Sequence, residues 1–513
     1  MHASDNTLTS TLPQAGKTVS PLLAITILWH PEPERAGEQA IGPGGPGTLA
    51  ISRFAPVFQR PGGAARPLEY RGVAREAMLI VRHADDALTL TAPASRMAVE
   101  VNGQPLGAGL RLARADIDAG VVLRLGGQLI VCLHWMHLLP NLHPVMGLHG
   151  VSSAMLRLRN LVRQVAATDL PVLLLGETGS GKEVAANAIH ACGSRRDGPF
   201  VAVNMATLSE GLAGAELFGA ARGAYTGAAA ARSGLFAEAA GGTLFLDEIG
   251  DAPAPIQPML LRVLECGEYR PLGAAQSMRS TARVIAATDR DLAGAAPDRP
   301  PFNQPLLRRL ETFVIELPAL RERREDLGLL MVHFLDQFNA QLSTATALPA
   351  ELAHQFCLYH WPGNVRQLAN VLRRALLVIA GGQEVSLELL VGSVRTLAGP
   401  GAGAPASAAG LASEERGPRR LSHVSDEEVV DAMERSGWRI LGAARLLGVS
   451  RPSMYKLLAA NRLVRAPEKI AEAEIRQALA HNDGDLERCA AALKTPSEAL
   501  RRHVGQLDAA GQA

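Results

Sequence analysis

At 513 residues the chain exceeds what one compact core fills, so roughly two to four domains are expected. Lysine and arginine total 51 against 50 aspartate and glutamate, and a net charge of +1 excludes a global basic field for nucleic acid, leaving only a local patch. Mean hydropathy is +0.08, no apolar run is long enough for a membrane span, and the scattered cysteines form no CxxC pair. A chain of the reducing cytoplasm, without membrane association, a disulfide framework or a zinc site, is expected.

Residues 1–20 open MHASDNTLTSTLPQ, lack a basic stretch followed by an apolar one, and read as a disordered tail without a secretory signal. Residues 21–135 carry short apolar or alternating runs at 78–81, 88–90, 99–101, 121–125 and 129–133. Gly and Pro break them at 42–47, 61–63 and 102–105, the pattern of an all-β sandwich domain. A linker is expected at 136–145. Residues 146–396 alternate strand-like and helical patterns and read as α/β. Residues 397–423 are rich in Gly, Ala, Pro and Ser, as in a flexible linker. The remainder is helical: a first helical region at 424–465 and a second at 466–513.

Within the α/β region, VLLLGETGSGKE places a buried strand, 172–175, before a glycine-rich turn and a helix opening near Lys182. Such a turn aims backbone N–H groups at phosphate, and its lysine reaches the terminal phosphates. Gly176, Glu177, Thr178, Gly179, Ser180, Gly181, Lys182 and Glu183 are therefore the candidate nucleotide-binding residues. Glu183 stands where the general motif has Ser or Thr on Mg²⁺. A second strand ends in acid, GGTLFLDEIGD: Asp247 would hold Mg²⁺ through water, and Glu248 would polarise the attacking water. Paired carboxylates at a strand end also suit an ordinary helix cap, but a phosphate loop upstream favours the catalytic reading. ATP and Mg²⁺ are the cofactors expected.

Further motifs occur in order: ELFGAARGAYTGA (216–228), LLRVLECGEYRPLG (260–273), ARVIAATDRDL (282–292), LPALRERREDL (317–327) and HWPGNVRQLAN (360–370). With these, the chain resembles the P-loop AAA+ domain, α-helical lid included, of sigma-54-dependent transcription activators over about 250 residues, the size of one large domain. The family usually carries Glu where Glu183 stands.

The resemblance implies a motor. Gly223, Ala224, Tyr225, Thr226, Gly227 and Ala228 match the loop that touches sigma-54 during hydrolysis, with Tyr225 for the usual Phe. Asn204 matches the residue that holds the catalytic Glu, and Arg366 the lid arginine that contacts nucleotide. Arg309 matches the second of two arginines that reach a neighbouring subunit's γ-phosphate. Two positions depart: Asn303 replaces the first of those arginines, and Asp289 replaces the Asn of the AATN motif. An arginine finger contributes on the order of 10³-fold or more to rate, and a carboxylate beside the γ-phosphate would repel it, so slowed hydrolysis is expected. The implied partners are the sigma-54 RNA polymerase holoenzyme, upstream enhancer DNA and a homo-oligomer, usually a hexamer. The rival expectation is a DNA-binding regulator that binds nucleotide, hydrolyses it weakly or not at all, and acts by oligomerisation.

GAARLLGVSRPSMYKLLAANR (442–462) has a helix–turn–helix pattern: Gly448 permits the turn, Ser450 caps the second helix, and Pro452 lies in its first turn. Arg451, Ser453, Tyr455, Lys456 and Arg462 would meet major-groove edges and phosphates. It resembles the Fis-type (factor-for-inversion-stimulation) region that ends such activators. An offset of 46 residues lays 428–458 over 474–504 and pairs Met433 with Leu479, Leu447 with Leu493 and Met454 with Leu500. A second, degenerate helix–turn–helix is therefore expected within 466–513.

Residues 99–133, with Asn102–Gly103 and the stretch 120–127, resemble the last strands of a forkhead-associated domain. That likeness implies a phosphoprotein or other protein ligand. Ala74 replaces the Ser expected before Arg75, and Ser52–Arg53 stands for the usual Gly-Arg. Activators with this pairing often sit with type VI secretion genes. Nothing resembles a receiver-type acidic pocket.

Overall fold

The computed structural model describes residues 21–140, 144–224, 230–294, 301–342, 346–383 and 385–395, together with most of 426–504. The expected tail at 1–20 and linker at 397–423 lie outside the described residues. The chain divides into two compact units, 1–404 and 405–513.

The N-terminal alternation produces an antiparallel sandwich. One sheet orders Gln39–Ile41, Leu22–Trp29, Leu129–Met136, Val121–Leu125, Val99–Val101 and Gln104–Pro105; the other orders Gly47–Ile51, Met78–Arg82, Leu88–Thr91 and Gly109–Leu112. The last long strand runs to Met136, one residue into the expected linker.

That strand is buried along its whole length because both of its faces are covered. Side chains alternate across a strand. Val131, Leu133 and Trp135 face the sandwich core, whereas Ile130 and Cys132 join a second core with Leu327, Met331, Phe356 and Trp361. The second core belongs to the helical lid, Leu327–Leu342, Ala350–Leu358, Asn364–Ala380 and Leu387–Arg395. Contact is close enough that a Cβ on Gly328 would lie 2.2 Å from the Leu28 carbonyl oxygen. Arg124 and Glu351 pair across the same junction at 2.7 Å. The sandwich is thus packed into the body of the central domain.

The central sheet is parallel, ordered Phe200–Asn204, Thr243–Asp247, Arg283–Thr288, Val172–Leu175 and Val314–Glu316. Its strands are near-continuously apolar, as burial on both faces requires. Register sets Leu175 beside Thr288 and Asn204 beside Asp247, so the carboxyl ends of the strands line one edge, where ligands bind in open α/β sheets.

In the C-terminal unit, Asp426–Arg435, Glu472–His481 and Leu486–Ala492 contribute to one core that includes Val429, Met433, Met454, Ile475, Cys489 and Leu500. Among the described residues no helix is long and apolar enough to cross a membrane.

Candidate nucleotide site

The loop after Val172–Leu175 leads into the helix Lys182–Cys192, as expected. Lys182 donates from Nζ to the Gly176 carbonyl at 2.8 Å, which folds the cation back over the loop. Gly179 has φ +78°, and a Cβ there would meet the Gly363 carbonyl oxygen at 2.4 Å. Only glycine lets lid and loop approach so closely. Arg366 sits on the same contact, its backbone N–H donating to the Gly179 carbonyl at 3.3 Å. Glu183 lies in the first turn of the helix.

Three residues absent from the sequence expectations hold the loop in place. Arg321 Nη1 donates to Glu177 Oε2 at 2.7 Å, and Asn364 Nδ2 donates to the same oxygen at 3.0 Å. The Arg321 hydrogen bond holds the Glu177 carboxyl down to about 2. Arg323, buried, donates to the Ser180 carbonyl at 3.2 Å. The signals lay in LPALRERREDL and in the Asn of WPGN, but sequence does not reveal that these segments fold over the phosphate loop.

Glu248 follows the strand in left-handed backbone, φ 50° and ψ 48°, which turns its carboxylate toward the loop. Its Oε1 lies 3.9 Å from Lys182 Nζ. Burial pushes the Glu248 carboxyl up, Lys182 opposes this, and Asp289 and Asp247 add to the rise. Asp247 Oδ1 accepts from the Glu248 N–H at 3.1 Å. Asp289 turns its side chain to the loop: Thr178 Oγ1 donates to Asp289 Oδ2 at 2.6 Å.

Asn204 pairs with Asp247 in register, and its Oδ1 accepts from the Ala206 N–H at 2.9 Å, capping the next turn. The cap uses only the amide oxygen; a carboxylate would take its bond from the Nδ2 donor. The nearby Asp289 backbone N–H counters part of the rise in the Glu248 carboxyl.

Arg309 is not part of this cluster. It lies in a groove of about 590 Å³ with Arg195, Arg283 and Pro171, and its Nε donates to the Leu264 carbonyl at 3.0 Å. Pro171 and Arg283 mark the amino ends of their strands, so Arg309 sits at the sheet edge opposite Lys182. Asn303 caps the helix Gln304–Leu310, its Oδ1 accepting from the Leu306 N–H at 2.9 Å.

Of the loop expected to contact sigma-54, Gly223 and Ala224 are placed, with Gly223 at φ +79°. Tyr225, Thr226, Gly227 and Ala228 lie outside the described residues, as do Arg451, Ser453, Tyr455, Lys456 and Arg462. Beside the phosphate loop, Leu148, Met155, Leu158, Val184 and Leu317 line an apolar cleft that also touches Ser180 and Gly181.

Three family models match the chain: the sigma-54 interaction domain over 148–316, the AAA+ ATPase lid domain over 321–402, and the bacterial regulatory protein, Fis family, over 421–460. The transcriptional regulatory protein ZraR of Salmonella typhimurium is 38% identical over 314 residues, covering 61% of this chain and 68% of that protein. The DNA-binding transcriptional activator HyfR of Escherichia coli is 47% identical over 247 residues, 48% of this chain and 37% of HyfR. Among solved structures, NtrX from Brucella abortus in complex with ATP aligns at 30% identity over 62% of this chain and 69% of that one, with a TM-score of 0.44.

Proposed function

This chain belongs to the sigma-54-dependent transcriptional activators, with a sigma-54 interaction domain, an AAA+ lid and a DNA-binding Fis-type helix–turn–helix, and we propose that it is an ATP-driven motor that remodels the closed sigma-54 polymerase complex. The observation that carries this reading is the 3.9 Å approach of Glu248 to Lys182 at the mouth of the phosphate loop. It sets a water-activating carboxylate beside the cation that receives the terminal phosphates.

The loop from Gly176 to Glu183 cradles the phosphates with its N–H groups, and Arg366 closes over it from the lid. The apolar cleft at Leu148 and Leu317 takes the base. Glu248 polarises the attacking water, its basicity increased by burial. Asp247, a hard oxygen donor at the strand end, fits Mg²⁺ held through water. Mg²⁺ when bound supplies charge neutralisation on the phosphates. Arg309 faces away from its own phosphate loop, which supports action on a neighbouring copy in a ring, a hexamer by family likeness. Asn204 offers Glu248 its Nδ2 donor, its Oδ1 being spent on the Ala206 cap. Gly223 to Ala228 pass the motion to sigma-54, and Arg451, Ser453, Tyr455, Lys456 and Arg462 hold enhancer DNA. A cytoplasmic location follows from these proposed partners.

Asn303 and Asp289 favour a second reading, a regulator that binds nucleotide, hydrolyses it poorly and acts by oligomerising. Open-complex formation with sigma-54 holoenzyme separates the two. The motor reading requires ATP and fails with a non-hydrolysable analogue; equal activity with both would remove it.

A further inference from the structure

Residues 320–328 form a strap with two opposed sides. Its short turns, Leu320–Glu322 and Arg324–Asp326, lead directly into the lid helix Leu327–Leu342. Arg321 and Arg323 point to the phosphate loop. Arg321 forks onto both Glu177 carboxylate oxygens, and Arg323 holds the Ser180 carbonyl at 3.2 Å. Arg324, Glu325 and Gly328 go the other way, to the sandwich. Arg324 lies against the turn at Gly120, where a Cβ would meet Arg324 Cβ and Cys132 Sγ at 3.3 Å each. Its Nη1 reaches toward the Gly120 carbonyl at 3.5 Å. Glu325 approaches His134 at 3.8 Å, and Gly328 seats on the Leu28 carbonyl with no room for a Cβ. Leu320 and Leu327 share one core with Leu28, Val122, Ile130 and Cys132 of the sandwich.

Between its two sides the strap is braced. The Arg323 and Asp326 N–H groups close the turns onto the Leu320 and Arg323 carbonyls at 3.2 and 3.0 Å. The Leu320 N–H donates to Asn364 Oδ1 at 2.8 Å, while Asn364 Nδ2 donates to the Thr178 carbonyl of the phosphate loop at 3.1 Å. Close-packed interiors transmit displacement instead of absorbing it, and hydrogen-bonded turns with packed anchors on both sides carry coupling between sites. Gly120 sets the spacing: its φ of +77° and missing side chain bring the sandwich turn up against the Arg324 stem. Without that stem the strap settles toward the sandwich and draws Arg321 and Arg323 away from the loop.

We propose that the sandwich is the back wall of the nucleotide site: Arg324, its stem against Gly120, is a positioning residue that sets the grip of Arg321 and Arg323 on the phosphate loop, and occupancy of the loop is felt in turn by the strands Val121–Leu125 and Leu129–Met136. Coupling between two sites is reciprocal. The inference rests on the nucleotide-binding reading of the loop.

The test uses the full chain. A fluorescent ATP analogue should bind Arg324→Ala about fivefold or more weakly than the parent, and Arg324→Lys, which keeps the stem, within about twofold of it. Arg124→Gln breaks the pair with Glu351 at the same junction but off the strap, and should also leave affinity within about twofold. Hydrogen exchange of the parent needs no variant. Saturating ATP should slow exchange in Val121–Leu125 and Leu129–Met136 about fivefold or more, and more than in Gly47–Ile51 of the other sheet. Parent-like affinity in Arg324→Ala overturns the proposal. Equal weakening in Arg324→Lys or in Arg124→Gln overturns it as well, the latter marking a general loosening of the junction. Protection by ATP that covers Gly47–Ile51 equally marks global stabilisation alone and overturns it too. If Arg324→Ala does not fold, the exchange of the parent decides. A parent that binds no analogue overturns the nucleotide reading and this inference with it, whereas binding with protection confined to the central sheet overturns this inference alone.

Discussion

Thr178 and Asp289, 111 positions apart in sequence, are joined by a hydrogen bond of 2.6 Å that ties the phosphate loop to the end of the neighbouring strand. The bond puts a third carboxylate in a site that already holds Asp247 and Glu248. A phosphate entering the loop meets that charge. Asp289→Asn keeps the acceptor oxygen for Thr178 and removes the charge, a change of roughly 1–2 kcal/mol for charges several ångströms apart. Titration with a fluorescent ATP analogue should show binding about tenfold tighter. Unchanged affinity would mean that Asp289 does not face the phosphates.

Glu248 should be indispensable to turnover and dispensable to binding. Glu248→Gln should lower hydrolysis by about 10²–10⁴-fold while leaving analogue binding within about threefold. Burial raises the Glu248 carboxyl above its ordinary range. Its carboxylate form is therefore lost at higher pH than for an ordinary Glu, and the acid limb of kcat should be displaced upward. A profile whose acid limb follows an ordinary exposed Glu would assign the base elsewhere.

The loop, the acidic strand end and the order of motifs were legible because each is a contiguous string in which local geometry and chemistry coincide. Glu248 and Lys182 lie far apart in sequence, but both motifs end strands of one parallel sheet, so their meeting followed from the fold. The clamp on Glu177 from Arg321 and Asn364 was not legible, since charged residues in a loop carry no mark of the partner they will find. Nor was the second cover on Leu129–Met136. An unbroken apolar strand there fits either a sandwich edge or a two-faced burial, and only the lid residues Met331 and Phe356 decide it. Asn204 was placed correctly in the sheet, while its side-chain partner depended on the backbone of the following turn.

The junction between sandwich and lid should respond to pH through Glu325. This buried carboxyl lies 3.8 Å from His134 Nδ1. Burial lowers His134 to about 4, and burial together with Asp326 pushes Glu325 up, so the two meet as neutral groups and not as an ion pair. Asp326 is the better hydrogen-bonded partner, accepting from the Val151 and Ser152 N–H groups and the Ser152 hydroxyl at 2.6–2.8 Å. A raised folded value for Glu325 means stability that is full below the ordinary 4.5 and lost as pH rises through the raised value. Glu325→Gln should flatten the fall in Tm between about pH 4.5 and about pH 8. His134 acts with the opposite sign, its contribution lost as pH falls from 6.5 toward 4, and is untouched by this substitution. An unaltered fall in Tm would place the titrating group elsewhere.

The sandwich should not bind phosphothreonine. Arg53, the cation at the matching loop, donates from Nε to the Val73 carbonyl at 3.0 Å and from Nη2 to the Arg71 carbonyl. Ser52 Oγ accepts from the N–H groups of Phe54 and Ala55 at 3.3 and 3.2 Å. Ala74 offers no hydroxyl. Calorimetry with phosphothreonine peptides should give no heat above that of their unphosphorylated forms, and binding that depends on the phosphate would contradict this.

Asn303 presents a conflict between stability and rate that one substitution exposes. As the cap of Gln304–Leu310 it satisfies the Leu306 N–H, and loss of such a cap costs about 1 kcal/mol. An arginine at this position cannot accept that bond, but it can place fixed positive charge beside a neighbouring copy's phosphates. Asn303→Arg should therefore lower Tm by a few degrees and raise turnover about tenfold or more in the assembled protein. The gain should appear only at concentrations that support assembly and should vanish when Arg309→Ala is added, because Arg309 would supply the second of two charges acting on one phosphate. Turnover that stays at the parent level while Tm falls would show that Asn303 limits nothing but the helix it caps.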